Sequence, residues 1–166
     1  MEYLTGLDKI FAQKQLFLAA NVAKNSTCFR SQCGSVIVSQ DSIVIGSGYN
    51  SPPQNCTLER CLKDLLPQDF KSDKTCCLHA EQRAIRDAYK NQPLDLVNAT
   101  LYFIRLGESG EPLHAGEPYC TICSKDALDA KIYKFVLWHP EGIAAYETKE
   151  YNERSFGFIP SLRKNV

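Results

Sequence analysis

Two short words constrain this chain more than anything else in it. They are His79-Ala80-Glu81, and Cys120-Thr121-Ile122-Cys123 with Pro118-Tyr119 in front. Each follows an irregular stretch and opens a segment with helical apolar spacing. An imidazole and a Cys-x-x-Cys pair supply the three protein ligands of a catalytic zinc, whose fourth position stays open. Any fold that joins them must bring two helix starts to one point. Helix N-termini carry partial positive charge, which favours thiolate over thiol. Glu81 stands too near such a metal to be ignored, and as a non-ligand it is suited to carrying protons. Taken singly the words are weak, since a Cys-x-x-Cys can be a redox pair and a lone histidine is commonly structural. In this order, and each at a helix start, they are specific. His114 and His139 fall outside the pattern and read as a loop residue and a strand-end residue.

The rest of the chain supplies a layered framework. Ile10, Phe11, Leu16, Phe17, Ala20 and Val22 predict a helix over 8–25 with one broad apolar face. The β-branched runs at 34–39 and 42–49, separated by Gln40-Asp41, predict a hairpin. Ser51-Pro52-Pro53 ends strand structure, and 58–66 is a short helix candidate before Pro67. A helix is expected over 79–91, a strand over 100–106, a polar loop over 107–118, a helix over 121–130 and a strand over 134–138. Beyond Pro140 the pattern weakens, and 144–154 is assigned to a last helix. Alternating strands and helices behind an opening hairpin make an α/β domain on a mixed sheet.

At 166 residues the chain is one domain, 1–166, with enough apolar residues (44%) for a real core. Lysine plus arginine equals aspartate plus glutamate at 19 each, which argues against nucleic acid as the main partner. No apolar run is long enough to span a bilayer, and Met1 to Lys14 lacks the pattern of a signal peptide. A cytoplasmic protein is expected, where eight cysteines point to metal binding before disulfides.

At these residues the sequence resembles the zinc-dependent cytidine and deoxycytidylate deaminases, and within them the deoxycytidylate branch. The resemblance extends through Ser26-Thr27-Cys28-Phe29-Arg30, Gly34-Ser35-Val36-Ile37-Val38, Gly48-Tyr49-Asn50 and Ala84-Ile85. It implies a three-layer α/β/α fold on a five-stranded mixed sheet, a homo-oligomer, and zinc on His79, Cys120 and Cys123. It also implies Glu81 as the proton carrier, and Asn50 and Ala80 beside the substrate. Four features depart from the family pattern: Tyr119 between proline and cysteine, Arg83 where asparagine is common, Ser51-Pro52-Pro53-Gln54 in place of a glycine-rich loop, and the long 107–117 segment. They leave the chemistry intact and bear on the substrate. Some family members hold a second, structural zinc, and Cys28, Cys56 and Cys77 match its positions. Cys61 is a reasonable fourth ligand, with Cys76 and Cys33 as alternatives and free buried thiols as the plain reading.

The expected reaction is hydrolytic deamination of a free cytosine nucleotide, deoxycytidylate to deoxyuridylate plus ammonia. Arg30, Arg83 and Arg105 are the phosphate candidates. Alternatives are another amino-pyrimidine or amino-purine nucleoside or base, a tRNA base, a non-catalytic zinc module, or a thiol redox protein using Cys120 and Cys123. The aromatic tail, with Tyr146, Tyr151, Phe156 and Phe158, is expected to pack, to cap the site or to join subunits.

Overall fold

The computed structural model describes residues 1–67 and 75–158. Its elements are β1 (Glu2–Tyr3), α1 (Gly6–Ala23), β2 (Gln32–Val38), β3 (Val44–Tyr49), α2 (Ala80–Asn91), β4 (Thr100–Leu106), β5 (Pro112–Leu113), α3 (Thr121–Asp129), β6 (Lys134–His139), β7 (Gly142–Glu147) and α4 (Thr148–Gly157). One mixed sheet runs β1-β7-β6-β4-β2-β3, with β5 paired to β4. Five of these strands span six or seven residues and form the expected five-stranded core; β1 and β5, of two residues each, extend it.

Side-chain alternation divides the sheet residues between two cores. Val36, Val38, Tyr102, Ile104, Val136, Ile143 and Ala145 meet α1 on one face. Ile37, Leu101, Phe135, Leu137, Ala144 and Tyr146 meet α2 and α3 on the other. The result is three layers, α/β/α. Among the described residues no helix is long and apolar enough to cross a membrane.

The sheet register sets the site. β2 is antiparallel to both β3 and β4, so those two strands run in the same direction. The helices that follow them, α2 and α3, therefore start from the same edge of the sheet. Parallel strands β4 and β6, joined through α3, complete that side.

Three expectations need correction. The segment assigned to a last helix begins as strand β7, and the helix starts only at Thr148. Ile143 to Tyr146 are all buried because both faces of β7 are covered, so the strand lacks the polar alternation that reveals a half-exposed one. The second concerns the single apolar face of α1. Leu16 and Ala20 are buried, whereas Ile10 and Phe17 are 52% and 66% exposed, with Leu7 and Leu18 also outward. The helix is apolar on both sides. The 58–66 helix reduces to a 3-10 turn at Leu62–Leu65.

Candidate active site

Two helix starts carry the functional side chains to the sheet edge. His79 caps α2 and Cys120 caps α3, with Cys123 in the first turn of α3. His79 Nδ1 lies 3.1 Å from Cys123 Sγ and 3.3 Å from Cys120 Sγ, and the two sulfurs are 3.1 Å apart. Among the described residues this is the one set of three His, Cys, Asp or Glu side chains whose ligand atoms lie mutually within 4.8 Å. His79, Cys120 and Cys123 are the residues that would hold a zinc ion here. The donor set fits zinc: one imidazole and two thiols, placed to bind a metal and leave a position toward the cavity.

The electrostatics are those of a prepared ligand set. The Cys120 thiol is held down to about 4, first by the hydrogen bond with Cys123 and then by the His79 ring. Cys123 is pushed well above the ordinary thiol range by that same hydrogen bond and by burial.

Glu81 lies at the bottom of a cavity of about 140 Å³ that also exposes Ala80, Cys33, Phe103, Leu137 and Tyr151. It is 5% exposed. Burial, followed by the negative charge of Cys120, pushes its carboxyl up to about 7. Asn50 reaches the cavity wall, but most of its amide serves the loop beside it. Its Oδ1 accepts from Ser26 Oγ (2.7 Å) and the Cys33 N–H (2.7 Å), and its Nδ2 donates to Ser31 O (2.9 Å). One amide hydrogen remains. Ala80 opens α2, where backbone N–H groups have no partner within the helix.

The departures from the family pattern have physical roles. Arg83 donates to Pro52 O (2.8 Å) and Ser51 O (3.3 Å), so it holds the Ser51-Pro52 turn and is not aimed at the cavity. The 107–117 segment folds back on the sheet: Pro112–Leu113 pairs with Leu106 and Arg105, Ala115 N–H donates to Trp138 O (2.7 Å), and His114 meets the Trp138 ring edge-on at 4.4 Å. Its end, Ala115 to Glu117, lines the cavity. Tyr119 is 63% exposed at the cavity mouth, 5.9 Å from the ring of Phe158. Of the other tail aromatics, Tyr146 and Tyr151 are core residues and Phe156 is exposed. His139 ends β6 and bonds Tyr146 Oη through Nε2 at 2.8 Å.

Sequence reasoning missed the brace between the two helix starts. Gln82 Oε1 accepts from the His79 N–H (3.3 Å), while its Nε2 donates to Asp126 Oδ2 on α3 (3.0 Å). Nothing local in either word signals this pair. The remaining cysteines form a row: Cys61 to Cys76 at 3.7 Å, Cys76 to Cys77 at 4.0 Å, and Cys77 in hydrogen-bond contact with Cys28. Cys56 is exposed and stands outside this row.

Fold and site together define an α/β/α protein with a three-ligand metal centre and a buried carboxyl beside it. The chain belongs to the cytidine and deoxycytidylate deaminases, a family of hydrolytic deaminases: residues 10–139 match the family's zinc-binding region. A search of curated protein sequences returns no match. Among solved structures, the dCMP deaminase of cyanophage S-TIM5 in complex with dCMP and dUMP is similar, with a TM-score of 0.55 and 19% identity over 78% of this chain and 82% of that one. Cytidine deaminase from Burkholderia pseudomallei gives a TM-score of 0.54 and 12% identity over 84% and 94%. At these identities the likeness is one of fold.

Proposed function

We propose that the protein removes the amino group of a free cytosine nucleotide by hydrolysis, converting deoxycytidylate to deoxyuridylate and ammonia. The observation that carries this reading is Glu81: a carboxyl only 5% exposed, lining the cavity from the helix turn that His79 caps. Zinc, when bound by His79, Cys120 and Cys123, supplies the Lewis acidity that makes water nucleophilic at neutral pH. Glu81 would take one proton from the attacking water and pass it to the ring nitrogen as the new C–O bond forms. It would then take the second proton from the new hydroxyl and pass it to the amino group, so that the C–N bond breaks, the water oxygen stays as the ring carbonyl and the amine leaves as ammonia. A carboxyl poised near 7 is suited to both directions of transfer. Phe103, Leu137 and Tyr151 give the ring an apolar slot and keep bulk water out. The free amide hydrogen of Asn50 and the N–H of Ala80 are its polar contacts.

Glu81→Gln tests the assignment. The variant should keep zinc and fold while losing about 10²–10⁴-fold in turnover. Normal turnover would remove Glu81 from the mechanism. Deoxycytidylate, deoxycytidine, cytidine and adenosine, assayed separately for ammonia release, test the substrate.

Three further assignments belong to this reading. A second, structural zinc on Cys28, Cys56, Cys61 and Cys77, with Cys76 as an alternative ligand, draws support from the closeness of Cys61 to Cys76 (3.7 Å) and of Cys76 to Cys77 (4.0 Å), which gathers thiols in one region. A metal count near one per chain would defeat it. Self-association is supported by the outward stripe Leu7, Ile10, Phe17 and Leu18 on α1. Placement in the cytoplasm is supported by the use of cysteines as zinc ligands.

A further inference from the structure

The cavity that holds the ring is charged in one sense only. Glu81 and Glu117 line it, and among the described residues no lysine or arginine does. A phosphate must therefore find its counter-charge outside. A groove of about 860 Å³ adjoins the cavity, with Ser31 lining both, and it contains Arg30 and Arg105.

The two arginines differ. Arg30 is committed to Asp64 at 2.6 Å and to Cys61 Sγ at 3.2 Å. Arg105 is exposed, and among the described residues no carboxylate lies within ion-pair distance of it. Strand geometry fixes its position. Cys33 opposes Arg105 and Ser35 opposes Phe103 across β2 and β4. Opposed residues, and residues two apart, share a sheet face. Arg105 thus shares a face with Cys33 and Phe103, both of which line the cavity, one strand step of about 7 Å beyond the phenyl ring. Its charge is felt there: burial pushes the Cys33 thiol up to about 11, while Ser31 and Arg105 act the other way.

We propose that Arg105 grips the 5′-phosphate of the nucleotide whose base occupies the cavity, and so sets preference for nucleotide over nucleoside. A guanidinium suits this task, because its planar fork meets phosphate oxygens with two parallel charge-assisted hydrogen bonds. Glu108 and Glu111 line the same groove, and Glu111 is engaged by Ser109 Oγ at 2.6 Å. Their negative charge disfavours a polyphosphate or a nucleic-acid backbone and leaves room for one phosphate at Arg105.

This proposal rests on the nucleotide reading above, and the test separates the two. Zinc-loaded wild type, Arg105→Gln and Arg105→Lys are compared for kcat/KM on deoxycytidylate and on deoxycytidine. Wild type should prefer deoxycytidylate. Arg105→Gln should lose about 10–100-fold on deoxycytidylate, chiefly through KM, with deoxycytidine unchanged, and the lysine variant should recover part of the loss. If wild type prefers deoxycytidylate and the glutamine variant keeps that preference, Arg105 is not the anchor. Equal losses on both substrates likewise overturn it, because a merely structural role moves both. A wild type without preference for deoxycytidylate overturns the nucleotide reading, and the anchor with it.

Discussion

Replacing Gly48 by alanine tests whether helix position governs the metal centre. Gly48 lies on β3 beneath α2, and a Cβ there would stand 2.4 Å from both Ala80 O and Ala84 N. Ordinary van der Waals contact begins at 3.4 Å, so α2 must retreat by about 1 Å. The obstructing atoms are helix backbone and cannot swing aside as a side-chain tip would. Overpacking of this kind costs about 1–3 kcal/mol, and the rigid obstacle places Gly48→Ala in the upper part of that range. For a domain of this size the loss is about 5–10 °C in Tm. The displaced turn carries His79, Ala80 and Glu81, and a misplacement of about 1 Å can cost 10²-fold in rate. Thermal unfolding, zinc content and turnover are measured together, with Gly157→Ala as control because nothing among the described residues lies within 4 Å of its Cβ position. A Gly48→Ala protein with wild-type Tm, zinc and turnover would refute the claim that close approach of β3 and α2 positions the site.

The Gln82–Asp126 brace makes a separate prediction. Gln82→Leu and Asp126→Ala should each cost about 1–2 kcal/mol and weaken zinc binding, and the double variant should cost clearly less than the sum. Full additivity in a denaturant series would mean that the two do not act through each other. Zinc removal makes another. Protein in zinc at 100 times its dissociation constant should be about 2.7 kcal/mol more stable than chelated protein. Stripping also leaves the Cys120 and Cys123 sulfurs 3.1 Å apart, so mild oxidation with diamide should consume that thiol pair only in the metal-free form. Equal oxidation with and without zinc would place the metal elsewhere.

What the sequence disclosed, and what it hid, follows from the range of the interactions involved. The helices carrying His79 and Cys120 were legible because each start is a local signal: an irregular segment, a ligand, then apolar spacing. The hairpin of β2 and β3 was legible for the same reason. β7 was not, because burial on both faces removes alternation and its Ala144-Ala145 pair is also acceptable in a helix. The outward apolar residues of α1 were assigned to its buried face because spacing alone cannot say how wide a buried face is. The brace through Gln82 and Asp126 joins residues 44 apart, and no pattern within either helix marks it. The same holds for the contact of Cys76 with Cys61, 15 residues away, which no local pattern marks.

The two kinds of residue at this site also answer to different constraints. His79, Glu81, Cys120 and Cys123 depend on β3 and β4 running the same way, since that alone brings both helix starts to one sheet edge. Arg105 depends only on its place along β4, on the same face as Phe103. Changing it leaves the strand pairing, the helix starts and the metal ligands where they are. A fold built this way lets the proposed phosphate anchor on β4 change without disturbing the residues placed for proton and metal chemistry.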